Sequence, residues 1–142
     1  MTAVLEKKLY TAQTRTTGGR DGQGKSADGG LNVRLSPPGS GRPGTNPEQL
    51  LGVGWSACFI GALRRAGQAL SIRVPEDLAV AAEISLGNTA DGGFALAARL
   101  TVELPGVAAD DKVRLVEEAH QLCPYSKATR GNIEVAFDIP SE

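Results

Sequence analysis

A chain of 142 residues with fifteen Lys and Arg against sixteen Asp and Glu, net charge -1, can bury one core of ordinary size and has no field to attract nucleic acid or an anionic membrane surface. The start, Met1 to Leu9, lacks a secretory signal's apolar stretch, and no run approaches the roughly 18 apolar residues of a membrane span, so one domain over 1–142 in the cytoplasm is expected. One histidine and two distant cysteines without a Cys-x-x-Cys spacing argue against a closed zinc site.

Residues 4 to 17 are polar and threonine-rich, which suits an edge strand or two better than a helix. From Gly18 to Gly30 six of thirteen residues are glycine, so a loop is predicted there, then a short strand over Leu31 to Leu35 and a second loop through Pro37, Pro38 and Pro43. Asn46-Pro47-Glu48-Gln49 reads as a helix start: Asn46 caps, Pro47 takes the first helical position and Gln49 reaches back. The helix should run from 47 to about 70. It carries no charge between Leu50 and Leu63, so it is expected to be buried all round, in the core or against another subunit.

Residues 79 to 86 and 94 to 104 read as a hairpin about the turn Asn88 to Gly93. Asp110 and Asp111 open a second helix with acid at its positive end, and Val113, Val116, His120 and Cys123 are spaced to share one face. Pro124 is expected to end it. The stretch Asn132 to Ile139 alternates cleanly, as a strand does. The sum is an α+β fold with two helices and mostly antiparallel sheet.

Gly19-Arg20-Asp21-Gly22-Gln23-Gly24-Lys25-Ser26 satisfies the phosphate-loop pattern G-x-x-x-x-G-K-[ST]. That chemistry needs a buried strand before the loop and a helix after it, whose amides hold the phosphates. Polar threonines precede this segment and a strand follows, so the nucleotide reading is refused. Gly54-Trp55-Ser56-Ala57-Cys58 begins like a serine-hydrolase elbow, but Cys58 replaces the last glycine and the segment lies within a helix.

The cysteines remain. A thiol works as a nucleophile only as a thiolate, and burial opposes ionisation. Cys58 lies about 15 Å from the start of its helix, beyond the reach of the dipole, so a cation is required. Ten arginines are available; Arg20, in a glycine-rich loop, is one that unusual backbone dihedrals can carry inward. Cys123, at a predicted helix C-terminus, suits a resolving role better than an attacking one. The other reading, two inert core thiols, stands beside this one. His120 reads as a base or, more simply, a packing residue.

Thr17-Gly18-Gly19-Arg20-Asp21-Gly22, Thr45-Asn46-Pro47-Glu48-Gln49-Leu50 leading to Ala57-Cys58-Phe59, and Cys123-Pro124-Tyr125-Ser126-Lys127-Ala128-Thr129-Arg130-Gly131-Asn132-Ile133 resemble the organic hydroperoxide resistance (Ohr) family of thiol peroxidases in the OsmC-like superfamily. The resemblance implies an OsmC-like fold, with sheets wrapped around central helices in an intertwined homodimer. It also implies Cys58 as peroxidatic cysteine, Cys123 as its resolving partner, Arg20 as the cation at the thiolate and Glu48 as the carboxylate orienting Arg20. Organic hydroperoxides would be the substrates and dihydrolipoamide or lipoylated proteins the reductant, with no metal, haem or flavin. The nearest rivals are an OsmC-type peroxidase of broader preference and an apolar-ligand binding module. About 15 Å of helix between Glu48 and Cys58 predicts that Glu48 of one chain serves Cys58 of another.

Overall fold

Of the edge strands expected over 4–17, the computed structural model, which describes residues 2–141, forms only Thr14–Thr17 (β1). β1 pairs antiparallel with Gln23–Ser26 (β2), and β2 pairs antiparallel with Asn32–Arg34 (β3). β2 lies inside the segment expected to be loop throughout. It is polar on its outer positions and buries a glycine, Gly24, against Thr16, so it has no apolar alternation to read. The phosphate-loop residues Gly24, Lys25 and Ser26 are in this strand and the next element is the strand β3, not a helix, which agrees with refusing that motif.

Between β1 and β2 the chain turns through a single 3-10 turn, Gly19–Asp21. Gly18 has φ +75°, and a Cβ on Gly22 would lie 1.8 Å from the Thr17 carbonyl oxygen, so this closure admits only glycine there. Asp21, exposed, pairs with Arg42 at 2.9 Å. The Leu35 N–H donates to the Gly22 carbonyl, and the Ser36 hydroxyl to the Arg42 carbonyl at 3.0 Å. These elements form one compact unit ending at Pro47; a second runs from Glu48 onward.

The second unit is built on the helix Pro47–Leu70 (α1), which begins where the Asn-Pro-Glu signal places it. Gly52, Trp55, Phe59, Ala62, Leu63, Ala66 and Gly67 make its buried face, the three-four spacing of an amphipathic helix. The expectation of burial all round is corrected for the single chain: Val53 is 73% exposed, and Ala57 and Gly61 are exposed too. Absence of charge meant burial on one face and an uncovered apolar stripe on the other.

Ala79–Asn88 (β4) and Phe94–Glu103 (β5) form the predicted hairpin, with Leu86 opposite Leu96 and Ile84 opposite Ala98. Glu134–Asp138 (β6) lies parallel to β5. Among the described residues three of the four strand pairings are antiparallel, as expected, and this parallel one follows from a helical return between the strands. Trp55, Phe59 and Leu63 of α1, Leu100 and Val102 of β5 and Leu115 of the helix Ala109–Leu122 (α2) are fully buried and make one core.

The inward face of α2 is Lys112, Leu115, Val116, Ala119, with Cys123 just beyond. Val113, expected on that face, is 44% exposed, because Lys112 takes the inward position. Its ammonium is buried and donates to the Pro140 and Ser141 carbonyls, both at 3.0 Å. Pro124 does more than end α2: it begins a further short helix, Pro124–Thr129 (α3).

Candidate active site

Cys58 is half-buried, and the fully buried Trp55 and Phe59 flank it in the sequence of α1. Its position puts the sulfur at the margin of the helix's buried stripe, between the apolar interior and the surface. Cys123 is fully buried. As the residue before a proline it is disfavoured in helical conformation, and it adopts φ -68°, ψ 122°. Its N–H bonds the Ala119 carbonyl at 2.8 Å and its carbonyl accepts from the Lys127 N–H at 3.0 Å. Cys123 is thus both the last cap of α2 and the first cap of α3, so the two helix ends act on it in opposite senses. The sequence-based dipole argument for its resolving role therefore loses its force.

The two sulfurs lie 3.7 Å apart, and the Cys123 thiol donates to Cys58 Sγ. Both are free thiols. A disulfide has S–S near 2.05 Å, so joining them needs an approach of about 1.7 Å, within reach of side-chain rotation and a small helix adjustment. The Cys58 thiol is pushed up from its ordinary value, by burial first and then by Cys123, since two sulfurs this close share one negative charge far more easily than they hold two. The Tyr125 N–H, at the start of α3, hydrogen-bonds Cys58 and pulls the other way.

Of the other residues singled out in the sequence, Arg20 lies in the 3-10 turn of the N-terminal unit and Glu48 in the first turn of α1. His120 sits in the last turn of α2 with its ring edge-on to Phe137 of β6, centroids 4.9 Å apart. Phe137 in turn packs on Phe59 at 5.3 Å. Burial, and then the positive charge of Arg130, push the His120 imidazole below its ordinary value, so it is a poor base and a good packing group. The Arg130 guanidinium hydrogen-bonds the His120 carbonyl.

Sequence reasoning missed α3, the Tyr125 amide and Phe137. The first two had a signal: proline is common at the first position of a helix, so Cys-Pro-Tyr could be read as a start as well as a stop. A cavity of about 540 Å³ lies elsewhere, lined by Arg73, Glu76, Asp77 and Asp111 among others, and neither thiol borders it. Among the described residues no group of three or more His, Cys, Asp and Glu could hold a metal ion, and no helix is long and apolar enough to cross a membrane.

An α+β chain that brings one thiol from a long, glycine-bearing helix against a second at a helix-helix junction is a dithiol protein. The family model described as OsmC-like protein matches residues 38–138. An organic hydroperoxide resistance protein of Xanthomonas axonopodis pv. citri is 41% identical over 96% of this chain and 99% of its own. The crystal structure of OhrB of Bacillus subtilis matches at a TM-score of 0.87 and 38% identity, covering 94% of this chain and all of that one. One from Elizabethkingia anophelis matches at 0.85 and 40% identity, over 96% and 99%. The chain belongs to the organic hydroperoxide resistance family of the OsmC-like superfamily.

Proposed function

We propose that this protein reduces organic hydroperoxides to alcohols with Cys58 as the attacking thiol and Cys123 as the resolving one. The observation that carries the reading is the 3.7 Å contact between the two free sulfurs, in a chain whose relatives are named for resistance to organic hydroperoxides. The Cys58 thiolate attacks the distal oxygen of the hydroperoxide. The O–O bond breaks, the alkoxide leaves and takes up a proton, and Cys58 becomes a sulfenic acid. The Cys123 sulfur then attacks Cys58, a disulfide forms and water departs. A dithiol of the dihydrolipoyl class returns both cysteines to thiols by exchange and is itself oxidised.

Because burial and Cys123 push the Cys58 thiol up, attack near neutrality calls for a cation. Arg20 is the residue we assign, with Glu48 as the carboxylate that orients its guanidinium. We assign the protein to a homodimer of single-domain chains. The uncharged exposed stripe of Val53, Ala57 and Gly61 on α1 supports it, since a partner helix would cover it. Glu48 and Cys58 stand ten residues apart on the unbroken α1, about 15 Å, which supports supply of Glu48 by the second chain. Mixed dimers of Glu48→Ala and Cys58→Ser chains should then recover activity in one of their two sites; recovery of none removes the cross-chain supply.

The test is peroxide consumption with dihydrolipoamide as reductant, for wild type, Cys58→Ser and Cys123→Ser. Cumene hydroperoxide should be consumed faster than hydrogen peroxide, Cys58→Ser should abolish turnover, and Cys123→Ser should stop after Cys58 has been oxidised once. Turnover that survives Cys58→Ser, or no turnover by folded, reduced wild type, refutes the assignment.

A further inference from the structure

The two sulfurs come from α1 and from the junction of α2 and α3, so their spacing is only as well defined as the packing of one segment against the other. Three rings form a continuous stack across that packing. Phe59, fully buried and next to Cys58 in the chain, lies against Phe137 at 5.3 Å and 32°; His120, one turn before Cys123, stands edge-on to the same Phe137 at 4.9 Å and 72°. Both separations fall in the favourable range for ring pairs.

Phe137 can act as a fixed post because of its strand. It lies opposite Leu100 in the β5–β6 pairing, and Leu100 is fully buried in the middle of the core. The segment that carries Cys123 is also tied into a block: the Arg130 guanidinium reaches back to the His120 carbonyl, and Cys123 is hydrogen-bonded into both α2 and α3. What the block still needs is a lateral key at its Cys123 end, and the ring edge of His120 on Phe137 supplies one.

We propose that His120 is a positioning residue for the resolving step: through the Phe59–Phe137–His120 stack it fixes Cys123 within closing distance of Cys58. The inference rests on the reading of Cys58 and Cys123 as a redox pair. It differs from the base role that the sequence left open for His120, since the ring works here by its edge and transfers no proton. Loss of that edge leaves Cys58 able to attack peroxide but lets Cys123 drift, so the sulfenic acid waits longer for its partner and is oxidised further to sulfinic acid by excess peroxide.

The deciding measurement needs no peroxide. Full-length protein is equilibrated with mixtures of reduced and oxidised dithiothreitol, in which two protein thiols and the reagent's disulfide exchange for a protein disulfide and two reagent thiols. The Cys58–Cys123 disulfide fraction gives the effective concentration of one thiol at the other. His120→Leu, which keeps volume but has no ring edge, should lower it about tenfold, some 30 mV for this two-electron couple. His120→Phe should stay within about twofold of wild type.

In a Phe137→Leu background, His120→Leu should add little, because the two act through one contact. An unchanged effective concentration in His120→Leu, an equal loss in His120→Phe, or full additivity with Phe137→Leu overturns the proposal. So does a wild type that forms no Cys58–Cys123 disulfide. Urea unfolding of each variant separates this from a purely structural role, which would lower the midpoint and leave the thiol equilibrium of folded protein unmoved. Wild-type peroxide turnover is read separately: its failure removes the peroxidase reading and leaves this one standing if the disulfide still responds to the ring edge.

Discussion

The N-terminal unit and the unit that carries the thiols are organised by opposite means. From Glu48 onward, position is set by packing: Trp55, Phe59, Leu63, Leu100 and Leu115 are fully buried, and the two sulfurs inherit their separation from that core. Up to Pro47, residues 2–13 are exposed and without regular structure, Leu35 is the sole buried large apolar residue among those described, and position is set by backbone geometry around Gly18 and Gly22. The dithiol is therefore placed by volume, whereas Arg20 is placed by dihedral angles. Substitutions that attack volume and substitutions that attack backbone should have different signatures in the two units.

The largest effect is expected from Phe59→Ala. Removing a fully buried ring that also braces Phe137 should destabilise the fold by about 3–5 kcal/mol, read as a fall in the urea midpoint. A loss below about 1 kcal/mol would break the comparison, because the thiol unit would then not depend on close packing. Arg20→Ala should do the reverse. A cation near a thiolate favours the charged form, so peroxide consumption at pH 7 should fall roughly a hundredfold, with stability changed by less than about 0.5 kcal/mol. Thiolate is the deprotonated form and Cys58 is already pushed up by burial and Cys123, so the variant's rate should recover as pH rises. A pH profile identical to wild type would take Arg20 out of the site.

Gly22→Ala joins the two signatures. Its Cβ would meet the Thr17 carbonyl oxygen at 1.8 Å, so the turn must open, at about 1–3 kcal/mol. On the proposed role of Arg20, peroxide attack should slow, while the dithiol should still equilibrate normally with dithiothreitol. His120 supplies a pH test of the packed unit. Burial and Arg130 lower its pKa in the folded state, so folding favours the neutral ring. That contribution is full above the unfolded value near 6.5 and is lost as pH falls through the lower, folded value. Wild type should lose stability over that acid window more steeply than His120→Phe, measured by urea midpoints between pH 7 and pH 5; parallel slopes would show that the ring is not held neutral.

The sequence made the packed unit legible and left much of the other unit obscure, for the same physical reason. Pro47 marks the start of α1, the alternation of 94–104 and 132–139 marks β5 and β6, and all follow from burial with a period. β2 escaped because a polar strand with a buried glycine has no period. α3 escaped because proline serves as a stop and as a first helical residue. The inward turn of Lys112 was illegible because its partners, the Pro140 and Ser141 carbonyls, are 28 and 29 residues away. The cysteine pair could be named from its motifs, but the Tyr125 amide on Cys58 and the rings behind the pair depend on contacts between distant segments.

The smallest effect tests whether backbone geometry matters inside the packed unit too. At the end of α1, Ser71 has φ +57°, and the Ile72 N–H closes on the Gly67 carbonyl at 2.9 Å, the ring that usually ends a helix with glycine in the left-handed position. A non-glycine residue there is strained by about 1 kcal/mol, and glycine gives up part of that gain to its greater freedom in the unfolded chain. Ser71→Gly should therefore stabilise by about 0.5 kcal/mol. The reverse change at a left-handed position of the other unit, Gly18→Ser, meets φ +75° and also a Cβ contact of 2.8 Å with Gly22, so it should destabilise and slow peroxide attack together. If Ser71→Gly gains nothing while Gly18→Ser loses both, the division between the units is sharper than drawn, with packing alone deciding the fate of a strained residue wherever a core surrounds it.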